Sequence, residues 1–178
     1  MNQKTILGFM AMVVAVAFTG CNPPQDWETT LEERLPVYGH RNWIVIADSA
    51  YPSQSASGIE TVYTDASHFE VLETVLKVVE AAPHVQAKVM VDRELDGMLE
   101  ADAPGVEAYR QQLKAMLTGR QVAVMPHEDI ISQLDDGAEL FNILLLKTDL
   151  TLPYTSVFLE LDCGYWNADK EERLHQTL

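Results

Sequence analysis

The sequence predicts an α/β fold, in which a single three-layer domain has a largely parallel central sheet flanked by helices. Short apolar segments rich in β-branched residues alternate along the chain with longer segments of helical periodicity. This alternation is typical of parallel sheets whose strands are connected by helices. With residues 1–20 set aside, 158 of the 178 residues remain, without internal repeats. This length suits one domain with a substantial hydrophobic core.

Residues 1–20 are expected to be the signal peptide of a bacterial lipoprotein. Lys4 supplies a positive charge, and residues 6–18 form an apolar run that is short for a membrane span. Small residues then precede Cys21, the residue that such a signal has lipidated at the new N-terminus. An ordinary signal peptide, or an anchor helix that contains a cysteine, is the alternative. The expected organisation is a signal peptide over 1–20, a tether over 21–26, a domain over 27–166 and a charged tail over 167–178.

The charge of the chain restricts its partners. There are 27 acidic and 12 basic residues, and loss of Lys4 with the signal peptide leaves a net charge of −16. Such a surface repels nucleic acid and anionic lipid headgroups, whereas neutral ligands are unaffected. Membrane attachment is therefore expected through a lipid at Cys21, in the bacterial cell envelope, with the domain facing the periplasm or the exterior. Cys163 has no partner for an intrachain disulfide and is expected to be a small buried residue.

The first half of the domain contains the best-defined helix. Ser67 and Glu70 have the spacing of a capping box, and an apolar stripe over residues 72–79 follows before Pro83 ends the helix. Trp43–Ala47 is predicted to be a buried strand because its residues are apolar and mainly β-branched. The other predicted elements of this half are a helix over 27–37, a serine-rich loop over 49–58, and strands over 59–63 and 85–91.

Prolines and glycines delimit the helices of the second half. Pro104 suits the first turn of a helix that continues through Leu117, with Gly119 as its stop. Pro126 opens another helix, which ends near Gly137. A charged stretch before Pro104 has little periodicity, and the last dozen residues are expected to be loose. Strands are predicted over 121–125, 139–146 and 156–161.

Titratable residues stand at both ends of the strand Trp43–Ala47, with His40 before it and Asp48 after it. Sites on α/β sheets tend to form where strands end, so both residues are candidates for a polar site. His127 lies at a comparable junction between a strand and a helix. The remaining histidines, which are expected to be solvated rather than catalytic, are His68, His84 and His175.

Several familiar catalytic motifs are absent from the sequence. It contains no G-x-S-x-G elbow, Walker loop, G-x-G-x-x-G or H-E-x-x-H motif. A metal site formed by His40, Asp48 and His127 is not favoured, because no two of these residues have the i, i+4 spacing of ligands on one helix face. Neither a metal nor another cofactor is expected.

Three segments resemble the motifs of the D-ribose pyranase and L-fucose mutarotase family. The first is Gly39-His40, followed by an apolar strand, Asp48 and a proline. The second is His127 with two acidic residues after it, at the start of a helix. The third is an apolar strand preceded by Tyr154, which stands two residues before the position of the family's asparagine. The order and approximate spacing of the three segments agree with the family.

This resemblance covers about residues 30–166 and implies both a fold and an activity. The fold is that of ribose pyranase, and the activity is an isomerase reaction, the interconversion of anomeric or ring forms of a neutral aldose. The resemblance also implies homo-oligomers that are ring-shaped, with sites between neighbouring subunits. His40 is implied to be the general acid/base, and Asp48, His127 and Tyr154 to hold the sugar hydroxyls.

Ser156 departs from the family pattern, since it occupies the position of the asparagine. Serine is shorter and has a single donor, so the contacts to a sugar at this position must change. A different sugar, weak binding and lost activity are all open, as are a non-catalytic monosaccharide-binding envelope lipoprotein and an envelope lipoprotein with a structural role. Tyr51-Pro52 looks more like the fucose type and His127 more like the ribose type, so the sugar is also open.

The spacing of His40 and Asp48 bears on where a site can form. The two residues are eight positions apart, and an extended segment of that length spans up to about 26 Å. A monosaccharide is far smaller. Either the chain folds back before Trp43, or the two residues meet across a subunit boundary, and the second alternative is favoured.

Overall fold

The computed structural model describes residues 26–178. The predicted signal peptide, the lipidation site Cys21 and nearly all of the tether therefore lie outside the described residues. Within residues 26–178, no helix has the length and apolar character needed to cross a membrane.

A six-stranded sheet forms the centre of the molecule, with the strand order β2-β5-β1-β6-β3-β4. Strand β6 runs antiparallel to both of its neighbours, β1 and β3, and every other pair is parallel. The prediction of a single domain with a largely parallel sheet is thus confirmed. The strands are β1 Trp43–Ala47, β2 Ile59–Tyr63, β3 Val85–Asp92, β4 Val122–Met125, β5 Ile143–Lys147 and β6 Val157–Cys163.

Helices cover both faces of the sheet, which gives the predicted three layers. The larger apolar cluster lies between one face and the helices α1, α2 and α4. The smaller cluster lies between the other face and α5. The helices are α1 Trp27–Arg34, α2 His68–Ala81, α3 Glu94–Gly97, α4 Val106–Met116, α5 His127–Ala138 and α6 Ala168–His175.

Burial along the strands follows their position in the sheet. All of β1 is buried, and so is β5 except for Lys147 at its end, because helices cover both faces at the centre. Continuous apolar sequences are what such strands require. The edge strands β2 and β4 are only partly buried.

The predicted helix boundaries are mostly correct, and the capping of α2 is confirmed. The Ser67 hydroxyl accepts a hydrogen bond from the Glu70 amide at 3.4 Å. Helix α4 begins only at Val106, because Gly105 has a φ of 96° and the Glu100 carboxylate accepts from the amides of Gly105 and Glu107. The strand predicted over 139–146 is also shorter than expected, since residues 139–142 turn back from α5 into β5.

Two helices lie where none was predicted. Helix α3 occupies the charged stretch that follows β3. Helix α6 occupies the tail that was expected to be loose. Its side chains are all exposed, and the Asn167 side chain caps it by accepting from the Lys170 amide at 3.0 Å. Local capping rather than core packing therefore defines α6, which is why apolar periodicity did not reveal it.

Because of the strand directions, several loops lie at one edge of the sheet. The parallel strands β1, β3, β4 and β5 all end at this edge, and the antiparallel strand β6 begins there. In open α/β sheets, ligand sites form outside the carboxyl ends of the strands. Asp48, Asp92, His127 and the segment before β6 are thereby brought to the same place.

Candidate active site

A cleft of about 480 Å³ opens at the carboxyl edge of the sheet. Its walls come from the loop after β1, the first turn of α5 and the loop before β6. In the described part of the chain, no lysine or arginine lines it. The polar side chains of its lining are Asp48, Ser49, Tyr51, Gln54, His127, Glu128, Thr151 and Tyr154.

Asp48 is held in a tight turn directly after β1. Its Oδ1 accepts a hydrogen bond from the Ala50 amide at 2.8 Å, an Asx-type turn that fixes the carboxylate. The Ser49 amide donates to the Leu150 carbonyl at 2.8 Å. This bond ties the turn to the loop that carries Tyr154.

His127 begins α5 and lies between two acidic residues and an aromatic ring. Its amide donates to Glu94 Oε2 at 3.0 Å, and its ring nitrogen Nδ1 lies 3.1 Å from Asp92 Oδ2. The ring meets Tyr154 edge-on, with 5.5 Å between the ring centroids and an angle of 82°. Tyr154 has a φ of 55°, in the left-handed region that few residues other than glycine adopt.

Asp92 ends β3 beside His127, outside the cleft lining, and its side chain has an exposure of 0%. Its contact with His127 is within ion-pair distance but is not aligned as a hydrogen bond, and neither carboxylate oxygen has a hydrogen-bond partner among residues 26–178. Burial raises the pKa of Asp92, while the neighbouring His127 opposes that rise. Unpaired buried carboxylates are rare because they cost stability, so Asp92 points to a functional role.

Two further polar atoms in the cleft wall lack hydrogen-bond partners within residues 26–178, namely the Tyr51 hydroxyl and Gln54 Oε1. Burial, followed by the charges of Asp135, Asp92 and Asp48, raises the pKa of Tyr51. The Tyr51 hydroxyl therefore keeps its proton at neutral pH. Together these atoms offer one donor and one acceptor to a polar ligand.

His40 lies at the other end of β1, outside the cleft lining. Its Nδ1 is 2.6 Å from Asp162 Oδ1, and Lys88 Nζ is 3.0 Å from Oδ2 of the same carboxylate. Burial alone would raise the pKa of Asp162, but hydrogen bonds from Lys88, the Cys163 amide and His40 lower it overall. The His40 side chain remains 53% exposed and is thus accessible from outside the molecule.

Ser156 is 3% exposed and lies directly before β6, outside the cleft lining. Cys163, expected to be buried, is free but only partly buried. The expectation that His68 is solvated is wrong, because it is 3% exposed beneath the site. No group of three or more metal-binding side chains is arranged around an ion site within residues 26–178.

Residues 28–161 match the model of the RbsD / FucU transport protein family. The chain belongs to this family. No curated protein matches the chain. As an RbsD/FucU member it shares its fold with solved structures at low sequence identity. The family match ends at residue 161, so α6 lies outside the matched segment.

Three solved structures of RbsD/FucU proteins resemble this chain. RbsD of Bacillus subtilis complexed with D-ribose has a TM-score of 0.56 at 17% identity, covering 78% of this chain and 94% of that one. FucU of Bifidobacterium longum has a TM-score of 0.52 at 18% identity, covering 75% and 92%. The fucose mutarotase of Streptococcus pneumoniae in complex with L-fucose has a TM-score of 0.51 at 19% identity, covering 80% and 97%.

Within this RbsD/FucU fold, three of the predicted site residues meet and two do not. Asp48, His127 and Tyr154 line one cleft, whereas His40 and Ser156 lie outside it. Sequence reasoning missed Asp92, although a signal was present. Like Asp48, Asp92 ends an apolar strand with a carboxylate, and both strands end at the same edge of the sheet.

Proposed function

We propose that the protein is a mutarotase or pyranase, an isomerase that interconverts anomeric or ring forms of a neutral ribose- or fucose-like aldose. The observation that carries this proposal is the cleft in which Asp48 and Tyr154 meet the His127–Asp92 pair. Membership of the RbsD/FucU family supports it. So does the likeness to an RbsD complexed with D-ribose and to a fucose mutarotase complexed with L-fucose.

The reaction needs only proton transfer. A base removes the proton of the anomeric hydroxyl while an acid gives a proton to the ring oxygen, and the ring opens to the aldehyde. Rotation and reclosure by the reverse transfers then give the other anomer or ring size, with no atom gained or lost. Histidine titrates near neutral pH and suits this task. Such positioned proton transfer contributes about 10²–10⁴-fold.

The cleft supplies groups for binding and for one of the two transfers. Asp92 Oδ2 lies 3.1 Å from Nδ1 of His127, and in this proposal the ion pair orients the ring and leaves Nε2 for a ligand. The Asp48 carboxylate and the Tyr154 hydroxyl are placed to bind sugar hydroxyls. The absence of lysine and arginine from the described lining favours a neutral sugar over a phosphorylated one.

The second proton-transferring group in this proposal is His40 of a neighbouring copy. Within one chain, His40 and the cleft lie at opposite ends of β1. Asp162 holds the half-exposed imidazole, so its free ring nitrogen is accessible to another molecule. A homo-oligomer in which His40 enters the next cleft would bring the acid/base to the sugar.

A non-catalytic monosaccharide-binding protein of the same fold is the second candidate. The observation that favours it is the incomplete cleft of a single chain, which lacks His40 and has no contribution from Ser156. Such a protein would hold a sugar through Asp48, His127 and Tyr154 without opening its ring.

Exchange NMR on a panel of aldoses separates the two candidates. We expect the protein to accelerate anomer or ring-form exchange of at least one sugar, and His40→Ala and Asp48→Asn to abolish the acceleration. His175→Ala, in the exposed helix α6, is the matched control and should keep full activity. Saturation transfer from protein to sugar without accelerated exchange would identify a binding protein instead.

Lipid anchoring at Cys21 is a separate part of the proposal, supported by the lipobox-like sequence before it. Expression of the full chain in a bacterium should place it in the membrane fraction with an incorporated acyl label. Cys21→Ser should lose the label. An equally labelled Cys21→Ser protein would contradict the anchoring.

A further inference from the structure

A chain of polar side chains runs through the apolar core beneath the cleft. His68, Tyr109 and Thr148 are buried, and Tyr109 belongs to the larger apolar cluster. His68 Nε2 lies 3.1 Å from the Tyr109 hydroxyl, and its Nδ1 lies 3.4 Å from Thr148 Oγ1. Phe69 packs against the rings of both His68 and Tyr109.

The hydroxyl protons determine which group donates in each of these hydrogen bonds. The Tyr109 hydroxyl donates to the Thr155 carbonyl at 2.7 Å, and Thr148 Oγ1 donates to the Ala47 carbonyl at 2.9 Å. Each hydroxyl has a single proton, so neither can also donate to His68. His68 is therefore the donor, and the shorter distance assigns its proton to Nε2. Burial lowers the pKa of His68 to about 4, which keeps the ring neutral and consistent with this role.

The two carbonyls that accept from the Tyr109 and Thr148 hydroxyls belong to residues next to the site. Ala47 directly precedes Asp48, and Thr155 directly follows Tyr154. The left-handed backbone of Tyr154 costs on the order of 1 kcal/mol or more and persists only where surrounding contacts fix it. The Tyr109 hydroxyl provides such a contact at the adjoining carbonyl.

We propose that His68 and Tyr109 are positioning residues for the sugar site, which fix Tyr154 through the carbonyl of Thr155. This inference rests on the proposed function of the cleft. A purely apolar pair would fill the same core space without the cost of burying polar groups. The polar pair instead makes the core sensitive to the position of the loop before β6, because the Tyr109 bond is satisfied only when Thr155 stays in place.

Variants of these two residues test the proposal by activity and by a second signal. Tyr109→Phe removes the donor to Thr155, and His68→Leu removes the donor to Tyr109. His68→Gln keeps an amide donor near the position of Nε2 and is the rescue variant. Tyr38→Phe is the matched control, because it removes the hydroxyl of an equally buried tyrosine near the opposite end of β1. The second signal is the NMR resonance of the His127 ring, which contacts Tyr154.

We expect Tyr109→Phe and His68→Leu, folded by circular dichroism, to lose at least about tenfold in sugar exchange and to shift the His127 resonance. His68→Gln and Tyr38→Phe should leave both measurements near the wild-type values. An unchanged exchange rate and an unchanged His127 resonance in Tyr109→Phe would overturn the inference. If the wild-type protein accelerates no sugar but the His127 resonance still moves, the proposed function fails while the positioning role stands.

Discussion

At the scale of single residues, Asp92 is a buried carboxylate next to the proposed site whose burial lowers the free energy of unfolding. Its carboxylate is fully buried, lies within ion-pair distance of the His127 ring, and has no aligned hydrogen bond among residues 26–178. A fold selected for stability alone has no use for such a group. Beside His127, it is placed to orient the ring in the proposed proton transfer.

Asp92→Asn should therefore stabilise the protein and weaken its activity. Because the pKa of Asp92 is raised in the folded state, the folded protein binds this proton more tightly than the unfolded chain. The free energy of unfolding consequently falls as pH rises through the folded pKa. Asp92→Asn removes this loss, so at pH 7 the variant should have a higher Tm than wild type, by about 2–4 °C for each kcal/mol gained. Below about pH 4 the two Tm values should be equal.

The activity of Asp92→Asn should fall by about 10²-fold, because an amide neither pairs with a charged imidazole nor orients the ring in the same way. Exchange NMR measures this loss and calorimetry at pH 7 measures the Tm. Asp129→Asn, which changes an exposed carboxylate in the first turn of α5, is the control and should alter neither value. A less stable Asp92→Asn protein at pH 7 would show that the carboxylate is well compensated.

His68 makes the fold sensitive to acid. The unfolded chain binds the His68 proton with a pKa near 6.5, whereas burial lowers the pKa in the folded state to about 4. Stability is therefore lost as pH falls from about 6.5 to about 4, by roughly 3 kcal/mol in total. In urea unfolding at pH 7, 5.5 and 4.5, the free energy of unfolding of wild type should fall relative to that of His68→Gln as the pH decreases, since glutamine does not titrate. Parallel curves would contradict this account.

At the scale of elements, patterns of apolar residues predicted what packs against the core. The strands β1, β2 and β3 and the capped helix α2 are present nearly as expected, because each presents a buried face that its sequence must encode. Helices α3 and α6 escaped prediction for the opposite reason. Helix α3 has only four residues, and Arg110 of α4 donates to its Leu95 and Asp96 carbonyls. Helix α6 is exposed and is capped locally by Asn167.

Gly58 shows how closely two elements approach. A Cβ atom on Gly58 would lie 2.6 Å from the Ala138 carbonyl oxygen and 2.8 Å from that of Phe141, so the start of β2 would have to move away from the end of α5. Gly58→Ala should therefore destabilise the protein by about 1–3 kcal/mol. Gly39→Ala meets nothing within 4 Å and should change stability by less than about 0.5 kcal/mol. Urea unfolding compares the two, and equal stabilities would contradict the close approach.

The candidate site was partly predictable for the same reason as the strands. Asp48 and His127 adjoin apolar strands whose ends the sequence marks, and the parallel topology brings them together. The resemblance to the family added Tyr154. The spacing of His40 and Asp48 favoured their separation within one chain, and the structure places them at opposite ends of β1. The burial of His68 was hidden from the sequence, since it depends on Tyr109 and Thr148, which are remote in sequence.

At the scale of the whole molecule, the two halves of the proposed chemistry face different directions. The cleft lies at the carboxyl edge of the sheet, and the His40–Asp162–Lys88 cluster lies at the other end of β1. Within a single chain, His40 therefore cannot reach a sugar bound in the cleft. The proposed homo-oligomer would bring them together without any change in fold, and each interface of a ring would then form one site.

Complementation between two inactive variants tests this central claim most directly. His40→Ala keeps an intact cleft, and Asp48→Asn keeps an intact His40. If His40 of one copy completes the cleft of the next, each variant alone should be inactive in exchange NMR, while co-refolded 1:1 mixtures should recover activity in about a quarter of their sites. If mass spectrometry finds mixed oligomers and the mixture stays as inactive as either variant, His40 does not act on a neighbouring cleft and the account is wrong.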